Sequence, residues 1–180
     1  MFYSFKVDEH HRDYLRFLWH EQNDINKPLT EYRMCVHIFG NTASPSIASY
    51  GLKQSAMRSN LGSDVTHFVL NDFYVDDGLT SLPTATEAVN LLKKTQEALI
   101  TEGKLRLHKI ASNNKEVMEA FPPEDLAKNL ENLKLTDQAL PVQHSLGIRW
   151  SLDSDTFSFD ISTEDRPYSR RGVLSTINYF

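Results

Sequence analysis

The stretch NDFYVDDGLTS, residues 71–81, constrains the fold more than any other part of this sequence. An apolar, aromatic run leads into Asp77-Gly78, and Asp-Gly is among the strongest signals for a tight turn between two strands. Strands joined by so short a connection are antiparallel. The sequence therefore predicts a β-hairpin here, in which Gly78 allows the backbone to reverse.

Two helices are predicted on either side of this hairpin. The segment TATEAVNLLKKTQEALITEG, residues 84–103, has apolar residues along one face, with Thr86 as the predicted N-cap and Gly103 as the predicted end. Upstream, GNTASP is a loop that opens a helix, with Ser44 as its N-cap and Pro45 at its first position. The face of the longer helix consists of Val89, Leu92 and Leu99.

Aromatic and β-branched residues predict further strands. MFYSFKV (residues 1–7) and KLRLHKI (104–110) are predicted strands, and EYRMCVHIF (31–39) alternates like a half-buried strand whose polar side includes His37. HRDYLRFLW, residues 11–19, fits a short helix or a strand equally. The predicted fold class is α+β: a small antiparallel sheet that carries the hairpin, helices on one face, and a further hairpin near the C-terminus.

Composition limits the classes of function. A chain of 180 residues, 40% hydrophobic and 24% charged, is sufficient for one globular domain with a core. The net charge of -5 argues against binding of nucleic acid by bulk positive charge, so particular Lys and Arg side chains would hold a polyanion. The single cysteine, Cys35, excludes an internal disulfide and a zinc pattern. We expect a soluble, intracellular protein without membrane contact.

The motif Tyr74-Val75-Asp76-Asp77, placed on a hairpin, resembles the metal-binding motif of reverse transcriptases, and neighbouring blocks follow in the family's order. FGNTASP resembles the loop and helix start that pack against the templating base and the incoming nucleotide. GKLRLHK resembles the next motif, whose lysine, here Lys109, approaches the nucleotide phosphates. The resemblance implies nucleotide or template contacts by Phe2, Phe39, Gly40, Ser44, Pro45 and Tyr74, and a primer-end turn at Leu146 and Gly147.

Within this family, the segment HRDYLRFLW followed by YRMCVHIFG, FYVDDGLTS, LHKIASN and RRGVLS is similar to the polymerase region of BEL/Pao-type long-terminal-repeat retrotransposons. The resemblance implies a partial polymerase palm over residues 1–112, a helical linker over 113–140, and a terminal segment, 141–180, that contains a hairpin and runs into the Pao retrotransposon peptidase region. It also implies that the normal partner is the rest of a polyprotein, and that the location is a cytoplasmic virus-like particle.

The implied chemistry is RNA-directed DNA polymerisation on an RNA or DNA template with a primer and deoxynucleotides. Transfer of a nucleotide to a 3′ end uses two divalent cations, Mg²⁺ or Mn²⁺, which prefer carboxylate oxygens. By resemblance, Asp76 is the main metal ligand, Asp77 a weaker one, and Lys109 a third catalytic residue. Each also has a structural interpretation, since Asp-Asp-Gly is commonly a solvated turn and a lysine on a strand is commonly at the surface.

The sequence departs from the family at its beginning. The family's early motif is an aspartate, four residues and an aromatic residue; if Phe2 is that aromatic, which excludes the 2′-hydroxyl, the aspartate would precede Met1 by four residues. We therefore expect this polypeptide alone not to polymerise DNA. Two alternatives are a decayed remnant and a captured interaction module, the latter with phosphate contacts from Lys53, Arg58, Lys104, Arg106 and Lys109.

Overall fold

The computed structural model describes residues 1–128, 142–145, 148–159 and 169–171. The fold is α+β, as the sequence predicts, with short antiparallel sheets and helices. The chain divides into two compact units, Met1–Leu107 and His108–Phe180. In the described part of the chain, no helix is both long and apolar enough to cross a membrane.

The first unit contains two separate antiparallel strand pairs and three α-helices. The single predicted sheet is thus replaced by two small ones, and the hairpin of the Asp-Asp motif forms a sheet of its own. In chain order the elements are β1 (Arg16–His20), β2 (Leu29–Arg33), α1 (Ser44–Arg58), α2 (Ser63–Asn71), β3 (Phe73–Tyr74), β4 (Asp77–Gly78) and α3 (Ala85–Gly103).

The three helices enclose the core of the first unit. Each contributes apolar residues spaced three or four apart, so that one face of every helix is buried. Burial of one such large side chain stabilises the fold by about 1.5–3 kcal/mol. Thr95 is the polar member of the buried face of α3, and its hydroxyl donates to the carbonyl of Leu91 at 2.7 Å. The core cluster consists of Leu52, Ala56, Val65, Phe68, Val69, Leu91, Ala98, Leu99 and Leu105.

The helix limits lie close to the predicted ones. Helix α3 ends at Gly103 as predicted, but its N-cap is Thr84 instead of Thr86, and the Thr84 hydroxyl accepts from the backbone N–H of Glu87 at 3.2 Å. Helix α1 begins at Ser44, which is therefore the first helical residue and not the N-cap, and Pro45 is the second. Thr84 and Glu87 have the Thr-x-x-Glu spacing of a capping box, whereas Thr86 is followed three residues later by Val89.

The N-terminal segment differs from its prediction as a strand. Residues Phe2–Ser4 form a 3-10 turn, and Lys6 makes only an isolated antiparallel bridge with Val36. Two hydrogen bonds hold this bridge: the N–H of Val7 donates to the carbonyl of Cys35 and the N–H of His37 to that of Phe5, each at 2.9 Å. The aromatic residues are placed for packing against helices, which overrides their preference for a strand.

Residues 11–19, which fitted either element, contain both. A 3-10 helix over Glu9–Leu15 leads directly into β1, which pairs with β2. Strand β2 ends at Arg33, and it is exposed along its whole length, so the half-buried strand predicted over residues 31–39 is wrong. His37, predicted on the polar side of that strand, is buried.

Ion pairs join the 3-10 helix to this strand pair. Asp13 contacts Arg16 and Arg33, each at 3.0 Å, and Arg16 also contacts Glu31 at 3.0 Å. Hydrogen bonds from Arg16 first, and then from Arg33, hold the pKa of the Asp13 carboxyl below its ordinary value of 3.8. Because these groups are exposed, salt screens the attraction.

Acidification is expected to loosen this corner of the first unit. A carboxyl whose folded pKa is depressed contributes stability that is present above the unfolded value near 3.8 and is lost as pH falls through the folded value. The indole N–H resonance of Trp19, on β1, should therefore shift as pH falls below about 4, and Asp13→Asn should remove that dependence. Glu102→Gln, at an exposed position of α3, is the control. An unchanged titration in Asp13→Asn would contradict this assignment.

The second unit contains helix α4 (Lys115–Glu119), a 3-10 turn (Pro123–Asp125) and an antiparallel sheet. That sheet has the order β5-β6-β7, with β5 at Val142–Ser145, β6 at Ile148–Ser151 and β7 at Thr156–Ser158. It includes the hairpin that the sequence predicts near the C-terminus. Ile110 makes an isolated parallel bridge with Leu126.

The strand predicted over residues 104–110 is not present. Lys104 has a left-handed φ of 52° and Lys109 one of 63°, which interrupts an extended conformation at two points. Leu105 and Leu107 nevertheless pack against the core of the first unit, which explains the alternating pattern. The carbonyl of Leu107 accepts from the Gln96 side chain at 3.0 Å, so a helix side chain takes the place of a neighbouring strand.

Candidate metal and nucleotide site

Strands β3 and β4 form the hairpin that carries the Asp-Asp motif. Phe73 pairs with Gly78 and Tyr74 with Asp77, which leaves Val75 and Asp76 as a two-residue turn. The predicted position of the turn, at Asp-Gly, is therefore wrong by two residues. Of the two turn residues only Val75 has a positive φ, 56°, which is the pattern of a type II′ turn. A β-branched residue rarely adopts this conformation, and it costs about 1–3 kcal/mol.

Gly78 has a packing role instead of a turning one. It lies in β4 opposite Phe73, and a Cβ atom there would come within 2.6 Å of the Phe73 ring. The same ring packs edge-on against Phe68 of α2, with centroids 5.1 Å apart. The hairpin is extended by the N–H of Leu79, which donates to the carbonyl of Asp72 at 3.0 Å. Phe73 thus attaches the hairpin to the core, and only glycine leaves room for it.

The two aspartates lie at the end of this hairpin. Asp76 occupies the second position of the turn, Asp77 begins β4, and both are exposed, as is Tyr74. Carboxylate oxygens are the ligands that Mg²⁺ prefers, and Mg²⁺ keeps several waters when it binds one or two carboxylates. The donor type therefore fits a divalent cation. Within the described residues, no group of three or more His, Cys, Asp or Glu side chains is placed to hold a metal.

Two of the predicted nucleotide contacts, Phe2 and Phe39, lie against each other. Their rings meet edge-on with centroids 4.6 Å apart, and Tyr3 approaches Phe39 at 6.3 Å. Phe2 is only 5% exposed, whereas Phe39 is 67% exposed. Phe39 is therefore the ring available to a ligand, and the buried Phe2 ring packs against it. Gly40 follows with φ of 84°, a conformation for which glycine is preferred.

Ser44 and Pro45 begin α1 shortly after Phe39 in the sequence. Pro45 is exposed, but Ser44 is only 1% exposed, which does not match a residue that touches substrate directly. Its Oγ lies 3.3 Å from Nδ1 of His37, which is itself buried. The sequence pattern missed His37 because alternation placed it on the polar side of a strand. Its distance of seven residues from Ser44 carries no signal of its own.

The N-terminal segment and the hairpin are attached to one core. Met1, Phe5 and Phe73 are partly buried against the same cluster of helical residues. Phe5 lies over Gly51 of α1, where a Cβ atom would clash with its ring. Met1, Phe5 and Phe73 therefore belong to a single packed unit.

The remaining predicted site residues lie elsewhere. Lys109 is exposed in the second unit, outside any strand, with the left-handed φ given above. Leu146 and Gly147, the predicted primer-end turn, lie outside the described residues. Arg58, Lys104 and Arg106, from the alternative phosphate-binding set, are exposed, and Lys53 is half-buried.

Compared with protein-family models, with curated proteins and with solved structures, the chain has no match in any of the three. The resemblance to reverse transcriptases therefore rests on the motif residues and their order.

Proposed function

We propose that this chain is a fragment of an RNA-directed DNA polymerase of a BEL/Pao-type retrotransposon polyprotein, with a partial palm over residues 1–112. The observation that carries the proposal is the β3-β4 hairpin, which places Asp76 in its turn and Asp77 next to it at the start of β4, both exposed. Attachment of the hairpin to the core that Met1 and Phe5 contact supports it further. In this proposal the particle of the element, in the cytoplasm, is where the chain acts.

The proposed reaction is nucleotidyl transfer on a primed RNA or DNA template. The 3′ oxygen of the primer forms a bond to the α-phosphorus of a deoxynucleotide, the bond to pyrophosphate breaks, and the hydroxyl proton is lost. Asp76 and Asp77 would hold Mg²⁺ or Mn²⁺, which supplies stabilisation of charge on the attacking and leaving oxygens when bound. Phe39 offers an exposed ring for packing against the nucleotide.

The third carboxylate of such a site comes, in the family, from the early motif. By the spacing of that motif it would precede Met1 by four residues. With two carboxylates alone the cation is held weakly, since most of its ligands are water. We propose that the isolated chain binds a divalent cation at the hairpin but does not polymerise DNA.

Metal binding tests this proposal. We expect Asp76→Asn to weaken Mn²⁺ binding, followed by the electron paramagnetic resonance signal of free Mn²⁺, by at least about tenfold, because a directly bound carboxylate matters at least as much as an outer-shell partner. An engineered N-terminal extension that places an aspartate four residues before Met1 is expected to tighten binding. Glu97→Gln is the control, because it also removes one negative charge but at an exposed position of α3. It should have no effect on Mn²⁺ binding.

Primer extension is the companion measurement. The chain alone is expected to give no extension of a primed RNA template with Mg²⁺ and deoxynucleotides. Extension that Asp76→Asn abolishes would overturn the expected inactivity and support the polymerase assignment. Equal Mn²⁺ affinity in the unaltered chain and in Asp76→Asn would refute the metal assignment.

A further inference from the structure

A short loop, residues 38–43, is enclosed by two buried polar side chains. His37 precedes it and Ser44 follows it, with exposed fractions of 8% and 1%. The Nδ1 atom of His37 lies 3.3 Å from the Oγ atom of Ser44, whichever of the two carries the shared proton. This contact closes the loop on itself, because it joins the residues immediately outside both of its ends.

Both ends of the loop are also held by the backbone. The N–H of His37 donates to the carbonyl of Phe5 at 2.9 Å, and the N–H of Ser44 donates to that of Asn41 at 3.1 Å. The side chain of Asn41 accepts from the N–H of Ala43 at 3.2 Å. The loop between these anchors carries Phe39, whose ring covers Phe2.

The His37–Ser44 contact is not needed to begin α1. Pro45 has the φ angle of a first helical turn already, and the buried apolar face of the helix continues from Ala48 to Leu52 and Ala56. Loss of the contact would nevertheless be unfavourable. A buried polar group without its partner has neither that hydrogen bond nor the one it would make with water. Because the contact joins the residues at both ends of the loop, we expect its loss to act on the loop first.

We infer that His37 is a positioning residue: through Ser44 it fixes the loop so that Phe39 lies over Phe2 before any ligand arrives. The use of this placement, to set the nucleotide-contacting ring, rests on the proposed polymerase function. The placement of Phe39 over Phe2 does not depend on that function. A preset ring spares the cost of ordering the loop when a ligand binds.

The test is nuclear magnetic resonance on the full chain and its variants. His37→Leu removes both ring nitrogens, and Ser44→Ala removes the hydroxyl. In each we expect loss of the nuclear Overhauser effect between the rings of Phe2 and Phe39. We also expect hydrogen exchange at least ten times faster at the amides of residues 37 and 44, with exchange of the Leu99 amide in α3 unchanged.

Two further variants separate positioning from general stability. His37→Asn keeps a polar atom near the place of Nδ1 and should restore the ring contact. Ser46→Ala removes an exposed hydroxyl from the first turn of α1 and should change nothing. Persistence of the ring contact and of slow exchange in both His37→Leu and Ser44→Ala would overturn the inference. Faster exchange at Leu99 as well would also overturn it, because the role would then be general stability.

A measurement of nucleotide binding is independent of the measurements on the variants. Addition of dGTP with Mg²⁺ to the unaltered chain should shift the amide resonances of Phe39 and Gly40. Absence of that shift would count against the nucleotide site, whereas the ring contact and the exchange rates would still decide the positioning role of His37.

Discussion

Phe68→Ala is expected to lower the free energy of unfolding of the first unit by about 3–5 kcal/mol, the usual cost of removing a buried phenylalanine from a core. Phe68 is buried among the residues of all three helices and also supports the ring of Phe73. The variant therefore leaves a cavity and removes an edge-on aromatic contact that contributes about 0.5–1.5 kcal/mol. The hairpin should lose its attachment before the helices separate.

Chemical denaturation followed by circular dichroism measures this change. Phe159→Ala is the matched control, since that phenylalanine is 69% exposed, and a surface substitution usually changes stability by no more than about 0.5 kcal/mol. A loss below about 1 kcal/mol in Phe68→Ala would show that the site collapses to fill the cavity. It would contradict the view that Phe68 anchors the hairpin.

Gly78→Ala is expected to destabilise the hairpin by about 1–3 kcal/mol, the typical cost of overpacking. The added methyl group would occupy the space of the Phe73 ring, which lies 2.6 Å from the ideal Cβ position. Phe73 must then leave its place against Phe68, and the turn with Asp76 and the adjacent Asp77 moves with it. The effect does not come from the backbone angle, because Gly78 is not among the residues with positive φ.

A double-mutant cycle with Phe73→Ala separates these causes. If the clash with the ring is responsible, Gly78→Ala should cost much less in a Phe73→Ala background than in the unaltered chain. Mn²⁺ binding in Gly78→Ala should weaken in parallel, since both aspartates are retained but displaced. Strictly additive losses in the cycle would show that the two residues do not interact.

Local patterns in the sequence predicted several elements correctly. Helix α3 is recognisable because its apolar spacing, a threonine near its start and the terminal Gly103 all act within one helix. The hairpin is recognisable because an aromatic run and turn residues are adjacent. The α+β class follows from these elements, since each depends on residues that are neighbours in the chain.

The same local patterns failed where distant residues compete. MFYSFKV has the composition of a strand, yet Phe5 packs over Gly51 and Phe2 against Phe39. KLRLHKI alternates like a strand, yet its leucines lie against the helices. In both, contact with a core tens of residues away in sequence outweighs a preference that amounts to about 1 kcal/mol at most.

The features of the candidate site were likewise predictable from the sequence only in part. The sequence shows that Asp76 and Asp77 are adjacent near a turn, and it shows the order of the blocks that resemble a polymerase. The sequence could not show that Phe39 is the exposed ring and Phe2 the buried one, or that His37 contacts Ser44. Burial depends on what other segments cover, and no pattern within a few residues reports it.

By itself, then, the sequence determined which local elements form and that two carboxylates stand together on a hairpin. Only the tertiary structure decided where that hairpin turns, because the Phe73 ring requires the space above Gly78 and so moves the turn to Val75 and Asp76. Turn propensity is a local preference of the backbone, whereas close packing admits one arrangement of the rings.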